Sequence, residues 1–481
     1  MSKLVHSFDI WETCLIRTFA YPEHLFYEVA RRYLTEKGEP VTADRLAELQ
    51  RQRTEAEWAA RKAEHARSGT YEVTLDEIYA QLRRAAPWLD AEAFRASEVA
   101  VEEASILPIA ETRARLRKLR AEGARIVFIS DMYLPEDVMR RFLVKFGMAG
   151  EDAPVYVSGP LRKHKGDGSL YHHVMAEEGT GPSGMRHTGN HPNSDHAQPA
   201  ALGIATEPFT DDRLSVAEQL TLREAQGRPL LASRLAGHQR AARLSTPLPE
   251  GLDPAFGRFL GGVIAPALTV YVLWILRRAR ALGLNRLYFL ARDGEILQRI
   301  YEAIAPEDAP EARYLYSSRL AWGFPSLSAD APWHWLRVHA QKPRSVLKGL
   351  RFSEEEIREI LARPELAHLD PNHRYNASEI EAFWQVLDEP RLRERILGEA
   401  AKERAVLLDY FRQEGLFDEG SRWAVIDIGW TLSTQAALQR ILKGTEAEDR
   451  VLGLYFLITK KRPPVPHTGP FDALLMEGLH T

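Results

Sequence analysis

Val5-His6-Ser7-Phe8-Asp9-Ile10-Trp11-Glu12-Thr13-Cys14-Leu15 carries a short apolar run that delivers an aspartate, with a threonine four positions later. The run reads as a β-strand over Leu4 to Phe8, which leaves Asp9 and Thr13 at a strand end. Three further polar signals follow in order. Ser130 comes after Ile126-Val127-Phe128-Ile129, then Lys165, then Asp195 behind Gly189-Asn190. These are the groups a carboxylate nucleophile needs to take a phosphoryl group. An aspartate attacks, a hydroxyl and an ammonium hold the phosphate oxygens, and further acids hold Mg²⁺.

Working outward, residues 22 to 107 are rich in Ala, Arg and Glu, with apolar positions three and four apart, and predict an all-helical insertion. Strands are expected at 125–129, 155–158 and 187–189, with helices between them. That βαβ alternation implies a parallel sheet with its site at the strand C-terminal ends. Residues 211–249 read as a helical linker ending in Thr246-Pro247-Leu248-Pro249. A second α/β pattern occupies 250–481. Its strands are expected at 286–290, 314–316, 423–426 and 451–458, with a helical insertion at about 331–417. The fold class is therefore α/β in both halves.

Composition narrows the classes of function. The chain has 481 residues, 45% hydrophobic and 27% charged, with a net charge of −4. It is long enough for two domains and has no basic field pointing to nucleic acid. A single cysteine, Cys14, excludes a disulfide framework and a Cys-based zinc site, and it fits a reducing, cytoplasmic compartment. Phe259 to Leu276 is free of charge and is followed by three arginines in four residues. With Gly261, Gly262 and Pro266 inside it, the stretch is expected to be a buried core helix, with membrane contact at most peripheral.

The first half, about 1–210, resembles the haloacid dehalogenase-like (HAD) phosphohydrolase superfamily, on four motifs in the right order. The resemblance implies Asp9 as the nucleophile that forms an aspartyl-phosphate and Thr13 as the residue shaping its loop. It implies Ser130 and Lys165 as phosphate ligands, Lys165 being chosen over Lys163 by Lys165-Gly166-Asp167-Gly168-Ser169-Leu170-Tyr171. It implies Mg²⁺ held by Asp9, the backbone carbonyl of Trp11, Asn190 and Asp195, beneath a helical cap at about 15–107. Two positions depart from the pattern. Trp11 stands where phosphatases of this family usually carry an acid/base aspartate, and Asn190 replaces the first aspartate of the fourth motif. Taken singly, Asp9, Ser130 and Lys165 also fit a turn cap, a helix cap and a surface charge.

The second half has two strand-loop-helix segments suited to anions. One is Ala291-Arg292-Asp293-Gly294. The other is Asp427-Ile428-Gly429-Trp430-Thr431-Leu432-Ser433-Thr434. Tyr316-Ser317-Ser318-Arg319 ends a strand between them. Their order resembles type I phosphoribosyltransferases. About 250–460 is also similar to the C-terminal half of bacterial polysaccharide-biosynthesis proteins that fuse such a module to a HAD domain. The resemblance implies a 5-phosphoribosyl transfer from phosphoribosyl pyrophosphate (PRPP) to a glycan acceptor, lipid-linked and handled beside other polysaccharide-assembly enzymes. Removal of the 5-phosphate by the first half would follow. It assigns Asp427 to catalysis and Arg292, Asp293, Gly294, Ser318, Arg319, Gly429, Thr431, Ser433 and Thr434 to substrate binding. The alternative is a sugar-phosphate phosphatase whose second half only binds or scaffolds.

Overall fold

The structure, a computed structural model, describes residues 4–224, 228–330, 333, 336–337, 341–459 and 468–477. The chain forms two compact units, Met1–Pro266 and Ala267–Thr481.

The first unit begins with β1 (Val5–Asp9) and β2 (Leu15–Arg17). Four helices follow: α1 (Leu25–Glu36), α2 (Ala43–Ser68), α3 (Leu75–Ala85) and α4 (Ala91–Ala104). Then come β3 (Ile106–Pro108), α5 (Ala110–Ala121), β4 (Arg125–Ser130), α6 (Glu136–Lys145), β5 (Val155–Val157), α7 (Ser158–Leu161) and α8 (Ser169–Glu177). β6 (Met185–Gly189), α9 (Gln198–Ala201), β7 (Ala205–Pro208), α10 (Val216–Glu224) and α11 (Pro229–Ser245) complete the globule. The segment expected to be linker thus folds as α10 and α11 within this unit.

The strands pair in the order β5-β4-β1-β6-β7, all parallel. β1 is central because four of its five residues are buried. The register sets Asp9 opposite Ile129 and Phe8 opposite Thr188. The carboxyl ends of β1, β4 and β6 therefore share one edge. The chain runs outward from β1 in both directions, so that edge is a topological switch point.

β2 and β3 pair antiparallel and carry the helical insertion between them. Each helix buries one face: Phe26, Val29 and Tyr33 from α1, Leu75, Ile78, Tyr79 and Leu82 from α3, Phe94 from α4. Thr74 and Glu77 form a reciprocal capping box at the start of α3. The insertion also buries a charge. Arg53 donates to Glu98 at 2.6 and 2.8 Å, Tyr79 donates to the same carboxylate at 2.6 Å, and Arg53 and Glu98 have no exposed side-chain surface.

Pro254 to Leu282 is helical throughout, as α12 (Pro254–Phe259), a π-helical turn at Leu260–Ile264 and α13 (Ala265–Leu282). By length and composition it is apolar enough to cross a membrane, yet only 22% of its most apolar window is buried. The expectation of a buried core helix is corrected accordingly. Tyr271, Val272, Ile275 and Ala279 are buried, whereas Phe256, Phe259, Val270 and Leu273 are exposed. Its hydrophobicity is two-sided, and only one side finds a sheet to cover it.

The second unit contains β8 (Arg286–Leu290), α14 (Gly294–Ile304), β9 (Glu311–Leu315) and α15 (Arg319–Gly323). A helical stretch follows, with α16 (Pro343–Gly349), α17 (Glu354–Leu361), α18 (Glu381–Leu387) and α19 (Pro390–Gln413). Within the expected insertion, 331–332, 334–335 and 338–340 lie outside the described residues. β10 (Trp423–Trp430), α20 (Ser433–Leu442), β11 (Gly453–Ile458) and β12 (Phe471–Met476) close the sheet. Its order is β12-β11-β10-β8-β9, and every pairing is parallel. Separate apolar clusters serve its two faces, and the inserted helices have a core of their own.

Candidate active site

Asp9, Ser130, Lys165 and Asp195 come from four separate segments and meet at the carboxyl edge of the first sheet. Asp9 ends β1 and Ser130 ends β4. Lys165 starts a single 3₁₀ turn, tied down by its backbone N–H donating to Asp131 Oδ1 at 3.0 Å. Asp195 lies in the π-helical turn Pro192–Ala197 after β6. Gly189 is required here, since a Cβ on it would fall 2.5 Å from the Asp195 carboxyl carbon.

One ammonium joins the two carboxylates. Lys165 Nζ donates to Asp9 Oδ1 and to Asp195 Oδ1, each at 2.6 Å. His187 Nε2 lies 3.1 Å from the same Asp195 oxygen, and the His191 N–H donates to Asp195 Oδ2 at 2.9 Å. A carboxylate only accepts, so His187 carries its proton on Nε2 and leaves Nδ1 to the Ser7 hydroxyl at 2.8 Å. Burial pushes the His187 imidazole below its ordinary value, keeping it neutral. Burial pushes the Asp9 carboxyl up to about 7 against the pull of Lys165, and the neighbouring Asp195 charge adds to the rise. Asp195 moves the other way: against a burial penalty, Lys165 and the His187 hydrogen bond hold it well below the carboxylate range. One carboxylate of the pair is permanently ionised, and the other titrates near neutrality.

Thr13 Oγ1, Ser130 Oγ and Trp11 Nε1 are buried and have no hydrogen-bond partner among the described residues. Donors buried without partners are costly unless a ligand takes them. The Thr13 loop is itself pinned, because the Thr112 hydroxyl donates to the Thr13 carbonyl at 2.7 Å.

The set expected for Mg²⁺ is not assembled as a ligand cage. The Asp195 oxygens already accept from Lys165, His187 and His191. Asn190 turns its amide to Asp212 Oδ2 at 3.0 Å. No group of three or more His, Cys, Asp or Glu suited to a metal occurs among the described residues. Asp9 and Asp195 are hard oxygen donors side by side on one ammonium and fit the ion, whereas Asn190, turned to Asp212, does not join them.

Sequence reasoning missed His187, Asp212, Arg17 and Glu102. Arg17 lies 3.5 Å over the Trp11 ring and donates to both Glu102 oxygens at 3.1 Å. Glu102 is 85 residues away on α4. No local spacing signals such a pair.

In the second unit the loops after β8, β9 and β10 stand at adjacent strand ends. Gly294 packs on Phe289, where a Cβ would sit 2.6 Å from the Phe289 carbonyl carbon. Ser318 Oγ caps α15 by accepting from the Ala321 N–H at 2.9 Å. Gly429, Trp430 and Leu432 have φ of 116°, 88° and 61°, a left-handed run that leads into α20. Thr431 donates to Ser433 at 3.4 Å, and Ser433 and Thr434 open the helix. Burial pushes the Asp427 carboxyl up to about 6; the Asp293 charge adds to that, and Arg319 pulls it down. Asp427 thus feels the charges of both Asp293 and Arg319, and Arg292 is exposed on the Asp293 loop.

No family model matches the chain, and no curated protein does. Several solved structures are similar to part of it. The HAD-hydrolase YfnB from Bacillus subtilis, bound to magnesium, is 13% identical at a TM-score of 0.32, over 44% of this chain and 91% of that one. The 2-haloacid dehalogenase from Pseudomonas syringae pv. Tomato is 17% identical at 0.32, over 45% and 89%. A HAD family enzyme from Bacteroides thetaiotaomicron, a magnesium complex, is 13% identical at 0.28, over 44% and 94%. Overlaps of this depth assign no activity.

Proposed function

We propose that the first unit hydrolyses a phosphate monoester through a covalent aspartyl-phosphate on Asp9. The observation that carries this reading is the Asp9–Lys165–Asp195 triad, together with the Thr13 and Ser130 hydroxyls, buried without partners among the described residues. Lys165 neutralises the carboxylates so that a dianionic phosphate can approach, and the hydroxyls donate to its oxygens as charge builds on them. Asp9 attacks phosphorus, the ester oxygen leaves, and water releases the phosphate.

The second unit, in the same proposal, transfers 5-phosphoribose from PRPP to a glycan hydroxyl. Favouring this reading are the charges of Asp293 and Arg319 felt at Asp427, which precedes the left-handed run that opens α20. Arginine and exposed amides suit pyrophosphate and a 5-phosphate, and Asp427 suits ribose hydroxyls or an oxocarbenium-like carbon. The phosphorylated product is then a substrate for the first unit. The exposed Val270 and Leu273 of α13 support peripheral contact with a membrane carrying the lipid-linked acceptor.

The test is mass spectrometry of a glycan acceptor mixture incubated with PRPP and Mg²⁺, using wild type and Asp9→Asn. Expected is an added pentose with wild type and an accumulating phosphopentose with the variant. Phosphate release from small sugar phosphates with no mass change on any acceptor removes the transferase half and leaves a phosphatase beside a binding module.

A further inference from the structure

The last helices of the first unit leave many large apolar side chains in water. Asp253 caps α12, its carboxylate accepting from the Phe256 N–H at 2.9 Å. Gly257 is buried against Leu248, which fixes the inward side of the helix. The 3.6-residue period then turns Phe256 and Phe259 away from that contact, and they are 51% and 48% exposed. Val263 and Ile264 of the following π-helical turn are exposed as well. α10 packs on that turn and exposes Val216 and Leu220, one helical turn apart. Scattered exposed apolar residues need no explanation, but this many on packed neighbours form a patch, and patches mark contact surfaces.

The neighbouring charges say what the patch meets. Pro254 and Arg258, on another side of α12, border a groove of about 620 Å³ whose facing wall includes Ala110 and Ala114 of α5. Arg258 is paired there with Asp211 at 2.9 Å. Beyond Ala114 the same stripe of α5 continues into Arg117 and Lys118, both exposed. Neither has a carboxylate partner among the described residues. Exposed phenylalanines near unpaired cations suit a bilayer with anionic headgroups, where the rings leave water and the cations find phosphates. A second copy of the chain would bring the same cations to the contact instead of acids.

We propose that this surface of the first unit docks on an anionic bilayer, with Phe256 and Phe259 entering the interface and Arg117 and Lys118 meeting headgroups. The proposal deepens the reading of a lipid-linked acceptor: a phosphatase held at the bilayer meets the phosphorylated sugar where that product is made. Its test needs neither activity, so either reading can fail alone.

The full chain is floated with vesicles of equal parts phosphatidylcholine and phosphatidylglycerol. Wild type is expected in the vesicle fraction, and Phe256→Ser with Phe259→Ser is expected to bind at least about tenfold more weakly. Arg117→Gln with Lys118→Gln should bind weakly and lose most of the salt sensitivity that wild type shows. Both variants should keep the wild-type circular dichroism and its p-nitrophenyl phosphate activity. The proposal is overturned if wild type does not float, or if the Phe256 and Phe259 variant floats as wild type does. Equal binding to phosphatidylcholine alone overturns the role of the headgroups. A fall in the sedimenting mass of that variant without vesicles makes the surface a contact between copies, which also overturns it. Loss of flotation in Val270→Ser with Leu273→Ser, but not in the Phe256 and Phe259 variant, puts the contact on α13 instead.

Discussion

At the scale of single residues the first site is a carboxylate whose charge is regulated by what surrounds it. In its proposed role as nucleophile Asp9 must be ionised, and burial has raised its carboxyl to about 7. The ionised fraction climbs from about one tenth at pH 6 to about nine tenths at pH 8. The amplitude-normalised burst rate with p-nitrophenyl phosphate should rise over the same interval, and a rate flat from pH 5 to 8 contradicts it. Asp427 makes the matching point about stability. Its folded value of about 6 lies above the unfolded carboxylate value, so the fold favours the protonated form. The cost of burying its charge is absent well below pH 4 and fully present above about pH 6. Asp427→Asn should raise the unfolding temperature by a few degrees near pH 7.5 and leave it unchanged near pH 3, as scanning calorimetry can read.

At the scale of elements the helical insertion is fixed by a buried charge as well as by apolar faces. Arg53 on α2 reaches Glu98 on α4, and its guanidinium lies 5.0 Å from the Tyr133 ring, three residues beyond Ser130. The insertion is thereby fastened to the loop that follows β4. Removing one partner of a buried pair strands the other, at a cost of about 3–5 kcal/mol. Arg53→Met should shift the denaturant midpoint accordingly, and adding Glu98→Leu should recover most of the loss. A glycine sets a second contact. A Cβ on Gly237 of α11 would meet the Phe19 backbone at 2.5 Å. Backbone cannot swing aside as a side-chain end can, so Gly237→Ala should cost about 1–3 kcal/mol. Urea unfolding monitored by tryptophan fluorescence would measure either loss.

At the scale of the whole molecule the two proposed chemistries belong to different compact units, Asp9 in Met1–Pro266 and Asp427 in Ala267–Thr481. Substitutions in one unit should therefore spare the other step. Asp427→Asn should abolish pentose transfer yet release phosphate from p-nitrophenyl phosphate at the wild-type rate, and Asp9→Asn should do the reverse. Loss of both activities in either variant, with the fold intact by circular dichroism, contradicts independent sites.

The sequence by itself determined the two parallel α/β patterns, because buried strands read as short apolar runs and helices repeat near 3.6. It also determined the strand-end placement of Asp9 and Ser130, whereas Asp427, expected just past a strand at 423–426, lies inside β10, which pairs with β11 as far as Trp430. What it left open was pairwise and distant. That Lys165 bridges Asp9 and Asp195 depends on a turn folding back across 156 positions. That Arg17 serves both Glu12 and Glu102 depends on α4 packing over the first loop. The edge strand β7 is short and only partly buried, so its periodicity is weak. The apolar helix from Pro254 was legible as apolar but not as exposed, because hydropathy counts side chains and only the packed sheet decides which face is covered. Local pattern fixes which elements form. Contacts between residues far apart in the chain fix which charges meet, and at this site the charges that meet determine the chemistry.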